Sequence, residues 1–281
     1  MFRLTENQIR AIRLLATYKY LTSSQFVKMG LYKNRGYLTN SLKVLVDMKR
    51  PLLAKHDFNP INGKLESFYY LTKYGLKFLV EELEYSENQI KVPKGLTPIY
   101  LKDYFHRKST IDFHIYFKQW VEANNGKINF LNYYFDKTGN NRGANSTNYV
   151  TALNRIHFDE KNSFIPDINT MFSINDKRYL YLFEQHNGKD SKRLFEQLYI
   201  HILAISKGVL SKKYDIKKPH MVVVVCEHES VKKSIIQRLY QEKGIEHYNN
   251  FFIFKTNSEL EENFYNNWTK ISGELTDFIV S

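Results

Sequence analysis

The first stretch of the chain alternates apolar and polar residues at helical spacing. Apolar positions repeat every three or four residues over 6–18, and Thr5 with Gln8 forms a capping-box pattern at the start. A second cap at Thr22 opens a short helix, which Gly30 closes. These patterns predict two helices joined by a short connection.

A third helix and a hairpin are predicted next. Apolar residues at helical spacing cover 34–48, and a fourth helix starts after Thr72. Between them, the apolar runs 52–55 and 67–72 flank a turn at 60–64 that contains an Asn-Gly step. Three helices followed by such a hairpin are typical of a winged helix-turn-helix, in which the third helix is the recognition helix.

The charge of the chain favours a polyanionic partner for this region. The formal net charge is +12. Residues 1–98 hold 16 Lys and Arg against 8 Asp and Glu, whereas residues 99–281 hold 25 against 21. A basic bias confined to one compact segment favours double-stranded DNA over a membrane as the partner.

The outward face of the third helix and the hairpin carry side chains suited to DNA. Those expected to contact it are Lys33, Arg35, Tyr37, Asn40, Lys43, Lys55 and Lys64. Arg35, Asn40 and Lys43 have the reach for base edges, and the other three lysines suit phosphates. Winged helices also mediate protein contacts, which is the alternative for this surface.

The pattern changes after a segment rich in proline and charge. This change predicts a winged-helix domain at 1–90, a linker at 91–99 and a second domain at 100–281. The predicted elements of the second domain are a helix at 100–124, strands at 130–135 and 150–158 around a polar loop with Arg142, a hairpin of 164–174 and 179–186, a helix at 191–207, a strand at 221–226, a helix at 230–243, a strand at 251–255 and a closing helix from Ser258. Their order predicts an α/β (α+β) fold with a mixed sheet flanked by helices.

The hairpin of the second domain gathers polar side chains on one face of the sheet. If the polar turn 175–178 is symmetric, Asp167 faces His186 and Glu184 faces Asn169. Because side chains alternate along a strand, all four then project to the same side. Two carboxylates so placed are suited to hold Mg²⁺ or Mn²⁺, which keep open positions for water and phosphate.

The hairpin also resembles the PD-(D/E)XK nuclease motif. Pro-Asp at 166–167 is followed by Glu-Gln-His at 184–186, inside an apolar strand. The resemblance implies a PD-(D/E)XK nuclease-like domain in which the Asp and the Glu hold the metal and a Lys assists the attacking water. Here a His occupies the Lys position, so that role passes to this His or to a displaced Lys. The candidate catalytic residues are Asp167, Glu184, His186, Lys189 and Lys192, the first two as metal ligands.

The order of motifs over nearly the whole chain is similar to the replication-relaxation family of plasmid and mobile-element proteins, which is itself similar to MobC-class relaxases. His106 matches a His near the start of the second domain of that family, and Tyr199 is an alternative nucleophile. The resemblance implies a relaxase or replication-initiation factor that binds, and as an enzyme nicks, a plasmid origin or transfer origin.

Two further hypotheses need no catalysis. One is an origin-binding or regulatory protein that uses the nuclease-like fold as a DNA clamp or homodimerisation platform, and the other is a transcriptional repressor. A single cysteine, Cys226, excludes an internal disulfide framework and a thiolate zinc cluster. The sequence has no run of 18 apolar residues and no signal-peptide pattern at its start, so we expect a cytoplasmic protein with no membrane partner.

Overall fold

The computed structural model describes residues 4–58, 65–93, 99–139, 150–159 and 162–279. The chain divides into two compact units, Met1–Ile115 and Tyr116–Ser281. The linker predicted at 91–99 precedes this division, and part of it lies outside the described residues, as do Lys64 and Arg142. Along the described ranges, none of the helices has the length and apolar character needed to cross a membrane.

The first unit contains four helices and a two-stranded hairpin. They are α1 (Glu6–Tyr18), α2 (Ser23–Lys28), α3 (Arg35–Asp47), β1 (Leu53–His56), β2 (Phe68–Leu71) and α4 (Lys73–Leu83), with β1 and β2 antiparallel. The predicted helices and strands of this unit are confirmed, and the turn predicted at 60–64 lies outside the described residues. The caps explain the helix starts, because Thr5, Thr22 and Thr72 each accept a backbone hydrogen bond from the first turn of the following helix.

The core of the first unit is formed by the apolar stripes of its helices and by the hairpin. Its buried side chains include Ile12, Leu15, Phe26, Leu38, Leu42, Leu45, Leu53, Phe68 and Leu79. Gly75 allows α4 to start directly against the chain that leads into β1. A Cβ atom at position 75 would lie 2.2 Å from the carbonyl oxygen of Leu52, so a larger residue would force the two segments apart.

The second unit is built on a seven-stranded mixed sheet flanked by helices. Its elements, with the helix that contains the division between the units, are α5 (Tyr104–Ala123), β3 (Lys127–Tyr133), β4 (Lys137–Thr138), β5 (Thr151–Ala152), β6 (Ile156–His157), β7 (Ser163–Phe164), β8 (Ile168–Ile174), β9 (Lys177–His186), α6 (Ser191–Ser206), α7 (Val209–Tyr214), β10 (Met221–Cys226), α8 (Glu229–Tyr240), β11 (Phe252–Thr256), α9 (Asn257–Glu262), β12 (Trp268–Lys270) and β13 (Leu275–Thr276). The strand order is β13-β12-β11-β10-β9-β8-β3. The strands β9, β10 and β11 are parallel, and every other neighbouring pair is antiparallel.

Several predicted elements of the second unit differ in the structure. The strand predicted at 150–158 is wrong as one element, because Arg155 N–H donates to the Ala152 carbonyl (3.2 Å) and a turn separates β5 from β6. Pro166 lies between β7 and β8, because proline has no N–H to give to a sheet. The sequence patterns did not predict α7 or the terminal hairpin of β12 and β13.

The register of the β8–β9 hairpin corrects the predicted pairing. The turn consists of Asn175 and Asp176 alone, both with left-handed backbone (φ 49° and 61°), as a type I′ turn requires. Ile168 pairs with Phe183, so the register continued by one residue brings Asp167 opposite Glu184 and not opposite His186. The shift is by two residues, which leaves every side chain on its predicted face.

The two faces of the sheet are covered by different helices. Val222 and Val224 pack with apolar residues of α6 and α8 in one buried cluster. On the opposite face, Phe117 of α5 contacts Phe172 with ring centroids 5.0 Å apart, and the Tyr181 hydroxyl donates to the Phe278 carbonyl (2.9 Å). The parallel register aligns Glu184 with Val224, so the predicted carboxylate points towards α6.

Candidate functional site

The outer face of α3 is mixed, because exposed polar side chains lie beside the exposed apolar side chains of Tyr37 and Val44. The inner side of this helix is buried and is formed by Leu38, Leu42 and Leu45. The predicted DNA contacts on and beside it are all exposed, namely Lys33, Arg35, Tyr37, Asn40 and Lys43. Tyr37 is 72% exposed, which is unusual for so large a ring and leaves it available for contact with a partner.

Two of the predicted contacts in the first unit are paired within the protein. Arg35 forms an ion pair with Glu66, whose carboxylate also accepts hydrogen bonds from the Ser24 N–H (3.1 Å) and hydroxyl (2.5 Å). Lys55 lies 2.9 Å from Asp57, and its pKa is raised chiefly by this hydrogen bond. The guanidinium of Arg35 is therefore held near the start of α3 and is still more than half exposed.

The second candidate region surrounds Glu184, which is 1% exposed. One of its carboxylate oxygens, Oε1, lies 2.7 Å from His201 Nε2, and the other, Oε2, accepts a hydrogen bond from the Gln197 amide. Gln197 and His201 are four residues apart on α6 and therefore project from the same side of the helix. Both oxygens of Glu184 are engaged by α6.

Asp167 lies beside this network and is also buried. Its Oδ2 accepts the backbone N–H of Gln185 at 2.7 Å, which fixes the carboxylate at the start of β8. Burial and, secondly, the charge of Asp167 raise the pKa of Glu184 well above its usual range, although the Gln197 hydrogen bond opposes this shift.

Two buried histidines complete the polar cluster. Burial, and then the neighbouring His220, lower the pKa of His201 well below its usual value. Burial lowers the pKa of His220 to about 3. The two rings lie 5.9 Å apart, and Phe164 packs edge-on to His201 at 4.8 Å. Both imidazoles are thus neutral at pH 7.

The structure separates the other predicted site residues. His186 is buried on the same sheet face as Glu184, one alternation further along β9. Lys189 and Lys192 are exposed near the start of α6, whose N-cap is Asp190. Tyr199 is 47% exposed and stacks on Phe195, away from the Glu184 side of the helix.

His106 belongs to the first unit. It lies in the first turns of α5 and is partly exposed, and its carbonyl accepts the Thr110 hydroxyl at 2.8 Å. The division between the units falls further along α5, so His106 and Glu184 belong to different units.

The cluster around Glu184 does not have the donor set of a metal centre as it is arranged. Across the described ranges, no group of three or more His, Cys, Asp or Glu side chains is placed to hold a metal ion. Among the described residues of the cluster, Asp167 and Glu184 carry the carboxylate oxygens that Mg²⁺ or Mn²⁺ would use, and both oxygens of Glu184 already contact Gln197 and His201.

The sequence patterns did not predict that His201 and Gln197 contact Glu184. The available signal was two polar residues, four apart, within the apolar stripe of Leu194, Leu198 and Ile202 on the predicted helix. Polar positions on a buried stripe require partners across the interface, and a buried strand carboxylate is one such partner.

Comparisons with known proteins add no relative, because no family model, curated protein or solved structure matches the chain.

Proposed function

We propose that this protein binds duplex DNA of a plasmid or other mobile element, at an origin of replication or transfer, through a winged helix-turn-helix in its first unit. The second unit is a PD-(D/E)XK-like fold that serves as a scaffold for replication or mobilisation. The plasmid context rests on the motif resemblance described above, and the DNA-binding part rests on the residues of α3.

The observation that carries the proposal is the outer face of α3. An exposed helix that carries the exposed side chains of Arg35, Asn40 and Lys43 matches what the major groove admits, because side chains of these types can donate to base edges. The helix is preceded by α2 after a short turn and followed by the β1–β2 hairpin, which is the order expected of a recognition helix and a wing. Lys55 on β1 is suited to a flanking phosphate.

The arrangement around Glu184 supports the scaffold role of the second unit. Its carboxylate joins β9 to α6 through His201 and Gln197, which is a structural task for a buried acid. His186 replaces the Lys of the nuclease motif, and its burial keeps it from bulk water. We therefore expect these groups to stabilise the fold.

A second candidate function is metal-dependent nicking of the bound DNA. It is supported by the register that brings Asp167 opposite Glu184 on one sheet face, at the end of β9 where the motif predicts the active site. For Glu184 to become a metal ligand, it would have to bind the ion through oxygens that His201 and Gln197 already contact. This is the difference between the two candidates that an experiment can resolve.

The test of the proposed function is binding of the full chain to duplex DNA, measured by fluorescence anisotropy over a series of salt concentrations. We expect binding that weakens steeply with salt and is reduced in Lys43→Gln. The matched control is Lys77→Gln on α4, where an exposed lysine is already paired with Glu81. Equal affinities for these two variants and the wild type would contradict the assignment of α3.

Nicking is tested separately on supercoiled plasmid, with Mg²⁺ or Mn²⁺ and with EDTA. The scaffold role predicts no metal-dependent nicking by the wild type. Nicking that requires the metal and is lost in both Asp167→Asn and Glu184→Gln, with DNA binding retained, would establish the second candidate instead.

A further inference from the structure

The second unit carries a group of exposed basic residues on neighbouring segments, separate from its buried polar cluster. It consists of Lys177 and Arg178 at the start of β9, Lys212 and Lys213 in α7, and Lys217 and Lys218 after α7, and we call these six residues the lysine platform. All six are exposed. The nearby acids on these segments are Asp176 and Asp215.

Charge is concentrated on this surface. Residues 116–281 hold 22 Lys and Arg against 19 Asp and Glu, and the platform with its two acids carries an excess of four positive charges. The rest of the unit is therefore close to neutral. A local excess of this kind is the electrostatic footprint of a polyanionic partner.

The platform is fixed to the sheet. Leu210 of α7 is fully buried, and the Tyr214 ring stacks on Phe130 with centroids 5.2 Å apart. The Tyr214 hydroxyl accepts a hydrogen bond from the Asn169 amide (3.0 Å), and Arg178 donates to the Asp215 carbonyl (3.2 Å). These contacts hold the end of α7 beside Arg178. Arg178 and the cations of α7 are therefore on one face of the sheet, whereas Lys177, one residue earlier on β9, projects to the other face.

The cations of the platform also lack acidic partners. Within the described part of the chain, none of the six forms an ion pair with a carboxylate, whereas on α8 Lys232 and Lys233 pair with Glu229. Unpaired cations remain available for an external anion. Here an anion with several charges would replace the hydration of neighbouring lysines without breaking an ion pair among the described residues.

We infer that the lysine platform binds the phosphate backbone of duplex DNA, which extends the proposed function to a second contact region and rests on it. The lysine platform lies away from the Glu184 cluster. Along β9, Lys177 precedes Glu184 by seven residues, which corresponds to ~23 Å at the usual strand rise. No large exposed apolar side chain lies among the described residues of the platform segments, and a membrane-binding surface would require such anchors.

The test compares full-length variants in duplex DNA binding as a function of salt. The double variants Lys212→Gln with Lys213→Gln, and Lys217→Gln with Lys218→Gln, are measured separately and combined. Because each lost phosphate contact lowers the slope of log K against log salt by ~0.9, we expect the fourfold variant to lower the slope by about 2 to 4 and the affinity at least about tenfold at 0.1 M salt. The matched control, Lys233→Gln with Lys243→Gln, removes two charges from α8 and its end and should leave the slope unchanged.

The outcomes separate this inference from the proposed function. If the wild type binds duplex DNA and Lys43→Gln weakens it, but the fourfold variant keeps the wild-type slope, the platform inference is wrong and the proposed function stands. If the wild type shows no salt-dependent DNA binding, both are wrong. If the fourfold variant binds DNA like the wild type and loses binding to vesicles containing phosphatidylserine, the partner of the platform is a membrane. Thermal melting checks that each variant remains folded.

Discussion

The outer face of α3 and the cluster around Glu184 both carry polar groups, but they differ in what their polar groups contact. On α3, the charged and amide groups are exposed to water, so they cost the fold little and can exchange water for a ligand. Around Glu184, the polar groups are buried and bond to one another. Removing a partner there leaves a buried polar atom unsatisfied.

This difference indicates which of the two polar regions, the outer face of α3 or the cluster around Glu184, is suited to bind a partner. A surface set can be used for recognition without rearrangement, whereas a buried set is already occupied by the protein. The motif at Asp167 and Glu184 predicts a metal site from the sequence, whereas in the structure both oxygens of Glu184 contact side chains of α6. We therefore expect substitutions to affect stability in the second unit and DNA affinity in the first.

The largest expected effect is that of His201→Ala on the second unit. The substitution removes a fully buried ring and leaves Glu184 Oε1 without its partner, so we expect the free energy of unfolding to fall by ~3 kcal/mol. Both tryptophans, Trp120 and Trp268, lie in this unit, so tryptophan fluorescence during urea denaturation reports on it selectively. Tyr199→Ala, on the exposed side of the same helix, is the control, and an equal loss in both variants would contradict a structural role for His201.

The second prediction concerns the pH dependence of stability. Because the pKa of Glu184 is raised above its ordinary value near 4.5, the folded state keeps a proton that the unfolded state releases. This contribution to stability is complete below pH 4.5 and is lost as pH rises towards the folded-state pKa, by up to ~1.4 kcal/mol per pH unit.

Glu184→Gln should remove this dependence, because the amide does not titrate and has nearly the same shape. The measurement is the free energy of unfolding of both proteins from pH 4 to pH 8, followed by tryptophan fluorescence. The account predicts that the Gln variant gains stability relative to the wild type as pH rises. A difference that stays constant, or moves in favour of the wild type, would show that Glu184 is ionised in the fold.

The third prediction separates affinity from stability in the first unit. Lys33→Gln with Lys43→Gln removes two exposed cations at α3, so we expect the salt slope of duplex DNA binding to fall by ~0.9 through the phosphate contact of Lys33, and the affinity to fall further through Lys43. The melting temperature should change little, because neither lysine contributes an ion pair among the described residues. A loss of stability with unchanged DNA binding would reverse the contrast between the two regions.

The smallest expected effect is that of Glu66→Gln. It removes the acid that pairs with Arg35 and frees the guanidinium for an external phosphate or base. We expect DNA affinity to rise by a few-fold, equivalent to ~1 kcal/mol or less. Anisotropy at low salt measures this change, and the same substitution in an Arg35→Ala background should have a smaller effect if the ion pair is its cause.

The helices of the first unit could be predicted closely, because their signals are local. The side chains of Thr5, Thr22 and Thr72 cap helices within their own first turns, and each cap can be recognised within four residues. The mixed sheet with helices beside it also followed from strand-length apolar runs such as 221–226, which the structure confirms as β10.

The structural features that were predicted wrongly or not predicted are those that the local sequence does not determine. A polar run of four residues at 175–178 allows several turns, and Asn175 with Asp176 selected the two-residue turn because both tolerate left-handed backbone. Only six residues form α7, and Leu210 alone anchors it fully, so its periodic signal is weak. The bonds from Gln197 and His201 to Glu184 depend on how α6 packs on the sheet, and only tertiary structure specifies them.

The most direct test of the central claim is selection of bound sequences from a random duplex library by the full-length protein and by Asn40→Ala. The account predicts that the wild type enriches one DNA motif and that Asn40→Ala loses preference at defined positions of it, with discrimination reduced by ~1–3 kcal/mol. The same motif enriched equally by both proteins, or no enrichment by the wild type, would contradict the assignment of α3 as the element that reads DNA.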